Sequence, residues 1–276
     1  MQAVTVRIPA KINIGLAVGP RRADGFHDLH TLFAGIDLFD TVTVAPADRL
    51  ALRLTGPEAA GLAADESNLA WRAARAAGLR AAITVDKQIP VAAGLAGGSA
   101  DAAGVLVAAG RPDLAAELGS DVPFALTGGL AVGQGRGERL HPATGAPLHW
   151  VLAASRHALA TPAVYAELDR LRPEAGEPAL DARLLAAVEQ GDPRAVAPLL
   201  RNDLQPAALS LAPDLTARLA LGVELGALAA VVSGSGPTCL FLAADRAHAL
   251  DLAGRLAPHC RYARAVTTGA RTEVVS

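Results

Sequence analysis

Cysteine is almost missing from this chain: Cys239 and Cys260 are the only two in 276 residues. Two thiols are too few for the disulfide framework of a small secreted domain, and no Cys/His spacing matches a zinc site. A surplus of one charge is missing as well. Twenty-five basic residues against 27 acidic ones leave a formal net charge of −2. That balance gives no electrostatic case for nucleic acid, and no basic run marks a membrane surface. No apolar run reaches the roughly 20 residues of a membrane span. The start, Met1-Gln2-Ala3-Val4-Thr5-Val6-Arg7, lacks the apolar core and cleavage site of a secretory leader. The expectation is a cytoplasmic protein with neither nucleic-acid nor membrane partners.

Lysine is scarce too. Lys11 and Lys87 are the only lysines, beside 23 arginines. Where Arg serves as the general surface cation, a remaining Lys can mark a place that needs a compact ammonium on a flexible stem. Lys11, between Pro9-Ala10 and Ile12-Asn13-Ile14, is read as functional. Lys87 is read as a surface residue that survived by chance.

What is present is apolar. Hydrophobic residues make up 51% and charged ones 19%, enough for a substantial core in one large domain or two ordinary ones. Strand character is predicted for 4–8, 12–18, 32–38, 41–44, 82–85 and 124–132, with helices over 68–77 (capped by Ser67), 100–109 and 114–118. The pattern loosens around 141–147, which divides the chain into 1–146 and 147–276. The second part reads as a strand at 150–154, helices near 162–171, 181–190, 193–200 and 212–221, strands at 229–232 and 239–242, a helix over 246–256 and a last strand at 262–266. The fold class is α+β.

The most informative stretch is Pro90-Val91-Ala92-Ala93-Gly94-Leu95-Ala96-Gly97-Gly98-Ser99-Ala100. It lies between a short buried strand and an Ala/Val/Leu-rich helix, with Ser99 near the cap. A helix start presents unpaired amides and the positive end of the macrodipole, which together hold phosphates. A plain Gly-rich turn that only starts a helix is the competing reading. The Walker A pattern is absent, because Ser99 rather than Lys follows Gly98. Left-handed backbone angles are assigned to Gly94, Gly97 and Gly98. Other polar segments resist a packing explanation: Lys11 with Asn13, Arg22-Ala23-Asp24-Gly25-Phe26-His27, Gly119-Ser120-Asp121-Val122-Pro123, and Ser233-Gly234-Ser235-Gly236-Pro237-Thr238. Asp121 reads either as a chemical group or as a brace for its turn.

Together these segments resemble the GHMP small-molecule kinases nearly end to end. Pro9-Ala10-Lys11-Ile12-Asn13, the Phe26-His27 pair, Asp37-Leu38-Phe39-Asp40 and Arg201-Asn202-Asp203-Leu204 resemble the branch whose acceptor is a cytidine-diphosphate-linked methylerythritol. The resemblance implies a two-domain fold: an N-terminal part like ribosomal protein S5 domain 2, and a C-terminal ferredoxin-like α/β sandwich. It implies ATP with Mg²⁺, the phosphates on Pro90–Ala100, and Ser99 as a possible Mg²⁺ contact. It implies Asp121 as base, Lys11 as its partner cation, and Asn13, Phe26, His27 and Asp121 on the acceptor. The turn Ser233–Gly236 would support the nucleotide loop, and a monomer or weak homodimer is expected. Three departures stand out. Ala92, Ala93 and Ala96 replace frequent glycines, Phe26 replaces a usual Tyr, and Ser155-Arg156-His157-Ala158-Leu159-Ala160 before Thr161 departs from the family wording.

Overall fold

The computed structural model describes residues 2–154 and 158–276. In chain order the strands are β1 Val4–Arg21, β2 His27–Pro46, β3 Ala51–Thr55, β4 Ala81–Asp86, β5 Leu130–Gly135, β6 Arg139–Ala143, β7 His149–Ala154, β8 Arg201–Asn202, β9 Ala229–Val232, β10 Cys239–Leu242, β11 Tyr262–Thr267 and β12 Glu273–Val274. The helices are α1 Leu69–Ala76, α2 Gly97–Ala109, α3 Ala115–Leu118, α4 Val122–Ala125, α5 Thr161–Leu171, α6 Ala182–Gln190, α7 Pro193–Val196, α8 Gln205–Leu211, α9 Asp214–Glu224 and α10 Arg246–Leu256.

Two sheets organise them. The first runs β12-β1-β2-β4-β3, with β5 also on β2, β6 on β5, and β8 parallel to β1. The second is β11-β7-β10-β9, antiparallel throughout. The long pair β1–β2 is the spine. Val4 faces Val44 at one end and Arg21 faces His27 at the other. β2 serves two partners, β5 along Leu29–Ala34 and β4 along Thr41–Pro46.

The sequence predicted four separate strands where β1 and β2 run unbroken. Pro9, which donates no hydrogen bond, lies at a register shift between Pro9 and Ala10, where a bulge absorbs the missing donor. Strand periodicity then fixes the site. Ile8, Ala10, Ile12 and Ile14 turn into the main core, so Lys11 and Asn13 share the opposite face. Helix α2 covers the core face closely. A Cβ on Gly104 would lie 2.5 Å from Ile8 Cδ1 and 2.8 Å from Val42 Cγ2, so only glycine permits this approach.

Other boundaries moved as well. The predicted strand over 124–132 is helix α4 followed by a left-handed pair, Gly128 and Gly129, and β5 starts only at Leu130. Asn68, not Ser67, caps α1, its side chain accepting from the Ala70 amide. Helix α8 was not predicted; the Pro in its first turn suits that position. Among the described residues, no helix is long and apolar enough to cross a membrane.

Candidate active site

A cavity of about 740 Å³ opens where β1, the β4–α2 loop, α4, α5 and the 233–236 turn converge. That volume is within the usual range for small-molecule sites, on the order of 300–1,000 Å³. Pro90 to Gly98 line it; Ser99 and Ala100 do not. Helix α2 begins at Gly97, three residues earlier than predicted, and no side chain caps it. Ser99 is therefore the third helical residue rather than a cap, and the first amides are free of side-chain partners.

The backbone angles correct the sequence reading directly. Gly94 is left-handed as assigned, with φ +73°, but Gly97 and Gly98 are helical. The other left-handed positions are Ala92 at φ +53° and Ala96 at φ +58°. The loop bends where its path requires, and here two of those bends fall on alanine. Gly94 also sits tightly against the far turn: a Cβ there would meet Ser233 O at 2.7 Å and Gly236 O at 3.0 Å.

Lys11 and Asp121 face each other across the cavity, Nζ to Oδ2 3.5 Å. Lys11 Nζ donates to Asn13 Oδ1 at 2.9 Å. Asn13 Nδ2 donates to Thr31 Oγ1, which donates to the Gly15 carbonyl. This chain of bonds fixes the ammonium. The Lys11 amide also donates to Leu95 O at 3.1 Å, tying β1 to the phosphate loop. Asp121 stands at the start of α4, yet its side chain makes no capping bond. The bracing role considered for it therefore does not use its carboxylate as a cap.

Gly234 and Ser235 line the same cavity, while Ser233 and Gly236 pack behind. The turn is held by Asn202, whose Nδ2 donates to Val232 O and Gly234 O, both at 2.7 Å. Ser235 Oγ is 2.9 Å from Thr161 Oγ1 at the start of α5.

Lys87 overturns its reading as a surface residue. It is 2% exposed and lines the cavity floor. Its ammonium bonds Asp40 Oδ2, and Asp101 Oδ2 at 2.7 Å. Asp40 Oδ1 accepts the Gln88 and Ile89 amides at 2.6 and 2.9 Å, so it pins the chain leaving β4. Among the described residues, Asp101 Oδ1 is buried with no hydrogen-bond partner. Burial pulls the Lys87 pKa down, but the Asp101 and Asp40 carboxylates outweigh it and the net shift is upward. Burial raises Asp101 well above the ordinary carboxylate value, with the neighbouring Asp40 charge adding to it.

At the other end, Phe26 is half exposed with the Arg136 guanidinium 5.0 Å from its ring centroid. His27 is buried, its ring centroid 5.0 Å from that of Tyr165. Its Nε2 is 2.7 Å from Asp169 Oδ1. Burial raises the Tyr165 pKa, and the Asp121 charge raises it further. Sequence reasoning singled out none of Tyr165, Asp169, Asp101 or Arg136. A signal was available: Thr161, Tyr165 and Asp169 follow one another at four-residue spacing, which puts them on one helical face. Of the segment that departs from the family wording, Ser155, Arg156 and His157 lie outside the described residues.

Among the described residues no three His, Cys, Asp or Glu groups could hold a metal ion.

Residues 68–129 match the GHMP kinases N terminal domain, and residues 184–260 match the GHMP kinases C terminal family. A 4-diphosphocytidyl-2-C-methyl-D-erythritol kinase from Mycolicibacterium smegmatis is 54% identical, across 95% of this chain and 89% of that protein. One from Streptomyces avermitilis is 50% identical across 95% and 96%. The crystal structure of a 4-(cytidine 5'-diphospho)-2C-methyl-D-erythritol kinase superposes with a TM-score of 0.80 at 37% identity, covering 96% of this chain and 99% of that one. The mevalonate kinase of L. major shares the fold, with a TM-score of 0.70 at 15% identity across 95% and 94%.

Proposed function

Since the chain belongs to the GHMP kinases, and within them to the 4-diphosphocytidyl-2-C-methyl-D-erythritol kinases, we propose that it phosphorylates the C2 hydroxyl of 4-(cytidine 5'-diphospho)-2-C-methyl-D-erythritol. ATP is the donor, and the 2-phosphate and ADP are the products, in the non-mevalonate route to isoprenoid precursors. Residues 1–146 and 147–276 are its two lobes.

The observation that carries this reading is the Lys11–Asp121 pair at 3.5 Å, tied through the Leu95 carbonyl to the loop of free amides. The triphosphate rests on that loop and on the positive end of α2. Asp121 accepts the hydroxyl proton as the oxygen attacks the γ-phosphorus and the bond to the β,γ-bridging oxygen breaks. Lys11 steadies the negative charge on the attacking and transferring oxygens. Phosphoryl transfer depends mainly on positioning and electrostatics, so this small set of groups is sufficient. Mg²⁺ arriving with ATP would neutralise the phosphate oxygens; Ser99, expected to touch it, does not line the cavity. Asn13 holds the methylerythritol end, and Phe26 with His27 the cytosine.

The test follows new phosphate monoester by ³¹P NMR with Mg-ATP and each candidate alcohol. Turnover of mevalonate or homoserine, without turnover of the cytidylyl substrate, would falsify the assignment. Asp121→Asn is expected to lower kcat by about 10²–10⁴-fold, the usual range for a lost general base, with ATP affinity nearly unchanged. Near-normal kcat in that variant would remove Asp121 from the base role.

A further inference from the structure

The contact between His27 and Asp169 has no part in the phosphoryl transfer itself, yet both residues line the cavity. Asp169 reaches His27 from α5, and Arg21 Nε stands 4.0 Å from its second oxygen. A carboxylate can only accept, so His27 Nε2 carries the hydrogen and donates. In the neutral ring, Nδ1 then holds a bare lone pair. Among the described residues Nδ1 makes no hydrogen bond. Packing against Tyr165 keeps the buried ring from turning freely.

We propose that Asp169 is a positioning residue for acceptor recognition: by holding the His27 hydrogen on Nε2 it presents Nδ1 as an acceptor, and so selects cytosine over uracil. This rests on the reading of the acceptor as a cytidine nucleotide. Cytosine offers an amino donor at N4, where uracil offers the acceptor O4. Uracil in the same pose would set two acceptors face to face and leave both unpaired. Such a mismatch costs about ten- to a hundredfold in affinity.

Asp169→Asn separates this role from simple support of the ring. The Asn amide can donate to Nε2, which moves the imidazole hydrogen to Nδ1 and makes that atom a donor suited to O4. A carboxylate-to-amide exchange beside a catalytic histidine is known to fix the wrong tautomer without disturbing geometry. The measurement is titration calorimetry of CDP and UDP on the full chain, for the wild type, Asp169→Asn and Asp169→Glu. The wild type should favour CDP about ten- to a hundredfold. Asp169→Asn should bring the two nucleotides to near parity or reverse their order, while Asp169→Glu restores the preference. ADP affinity and the unfolding midpoint should stay constant across the set.

¹⁵N NMR of the imidazole gives a readout that needs no nucleotide. The wild type should show a bare Nδ1 and a protonated Nε2, exchanged in Asp169→Asn. A protonated Nδ1 beside a bare Nε2 in the wild type would overturn the proposal. So would a wild-type CDP/UDP ratio in Asp169→Asn, and that outcome leaves the cytidine reading standing. A wild type that binds ADP but is indifferent to CDP and UDP overturns the cytidine reading, and this proposal with it.

Discussion

Replacing Lys87 by methionine keeps most of the side-chain volume and removes one positive charge from between two buried carboxylates. Asp40 is fully buried and Asp101 nearly so. After the change, Asp40 Oδ1 still accepts the Gln88 and Ile89 amides, but its Oδ2 loses the ammonium. Asp101 fares worse. Its Oδ2 loses the same donor, and its Oδ1 has no hydrogen-bond partner among the described residues even in the native protein. Breaking a buried ion pair from one side costs about 3–5 kcal/mol, a large share of the 5–15 kcal/mol by which domains of this kind are typically stable, an order-of-magnitude range. With a urea m-value of about 3 kcal/mol/M, the midpoint should fall by roughly 1–1.7 M. Adding Asp101→Asn to Lys87→Met removes the carboxylate with the fewest donors, and should recover about 1–3 kcal/mol. Lys87→Arg keeps the charge but should not preserve stability. Even a Cβ on Gly97 would lie 3.3 Å from Nζ and 3.1 Å from Ile89 Cγ2, so a guanidinium must push the loop aside. Urea unfolding followed by far-UV circular dichroism decides the matter. A Lys87→Met midpoint indistinguishable from that of the wild type would show that the ammonium does not hold these elements together, and the reasoning would fail.

Two further outcomes follow from backbone geometry and from pH. Ala96→Gly and Ala92→Gly should each stabilise the protein. A left-handed alanine costs about 1–2 kcal/mol, and glycine's larger unfolded-state entropy returns about 0.5–1 kcal/mol of that; a lower urea midpoint in either variant would contradict the strain argument. Asp203 accepts from Arg201 Nε, the Val18 amide and Arg172 Nη1. Burial raises its pKa, but these donors outweigh burial and hold it below the ordinary value of 3.8. The folded state therefore binds its proton less readily than the unfolded chain. The stability Asp203 contributes is complete above about pH 3.8 and lost as pH falls through the lowered folded value. In thermal melts from neutral to acid pH, the gap between wild type and Asp203→Asn should close in that window. A gap that stays constant would assign the interaction to something other than charge.

Parts of this fold were legible because punctuation and pattern agree locally. The strands β9 and β10 and the helix α10 come out at the predicted residues. Each is an apolar or amphipathic run with Ser, Gly, Pro or Asp within three residues of either end, residues that punctuate the chain for reasons intrinsic to their own backbone. Pro9 shows where that logic stops. Its missing donor ends a strand only if nothing opposite can shift register, and whether β2 shifts is a property of the pair. Glycine misled in the same way. Gly97 and Gly98 were read as the special positions because they are free to be left-handed, but freedom is not a requirement. The path from β4 to α2 needs its left turns at 92, 94 and 96, and two of those residues are alanines.

In the candidate site, residues of one segment were easier to find than groups brought together from afar. Lys11 and Asn13 are two apart on a strand, and strand periodicity alone puts them on one face. Lys87 had the same signal of rarity as Lys11, but its meaning lies in Asp40, 47 residues before it, and Asp101, 14 after it. A buried cation in a chain rich in arginine was therefore mistaken for a remnant. The rarity argument was sound and should have been applied evenly to both lysines. A residue type retained against the compositional trend asks for a structural reason at each occurrence, and here the reason is the size of the charged group. One ammonium fits between two carboxylates in a space that a guanidinium would overfill. The four-residue spacing of Thr161, Tyr165 and Asp169 was equally visible. It could be weighed only once His27, more than a hundred residues away, was known to face that helix.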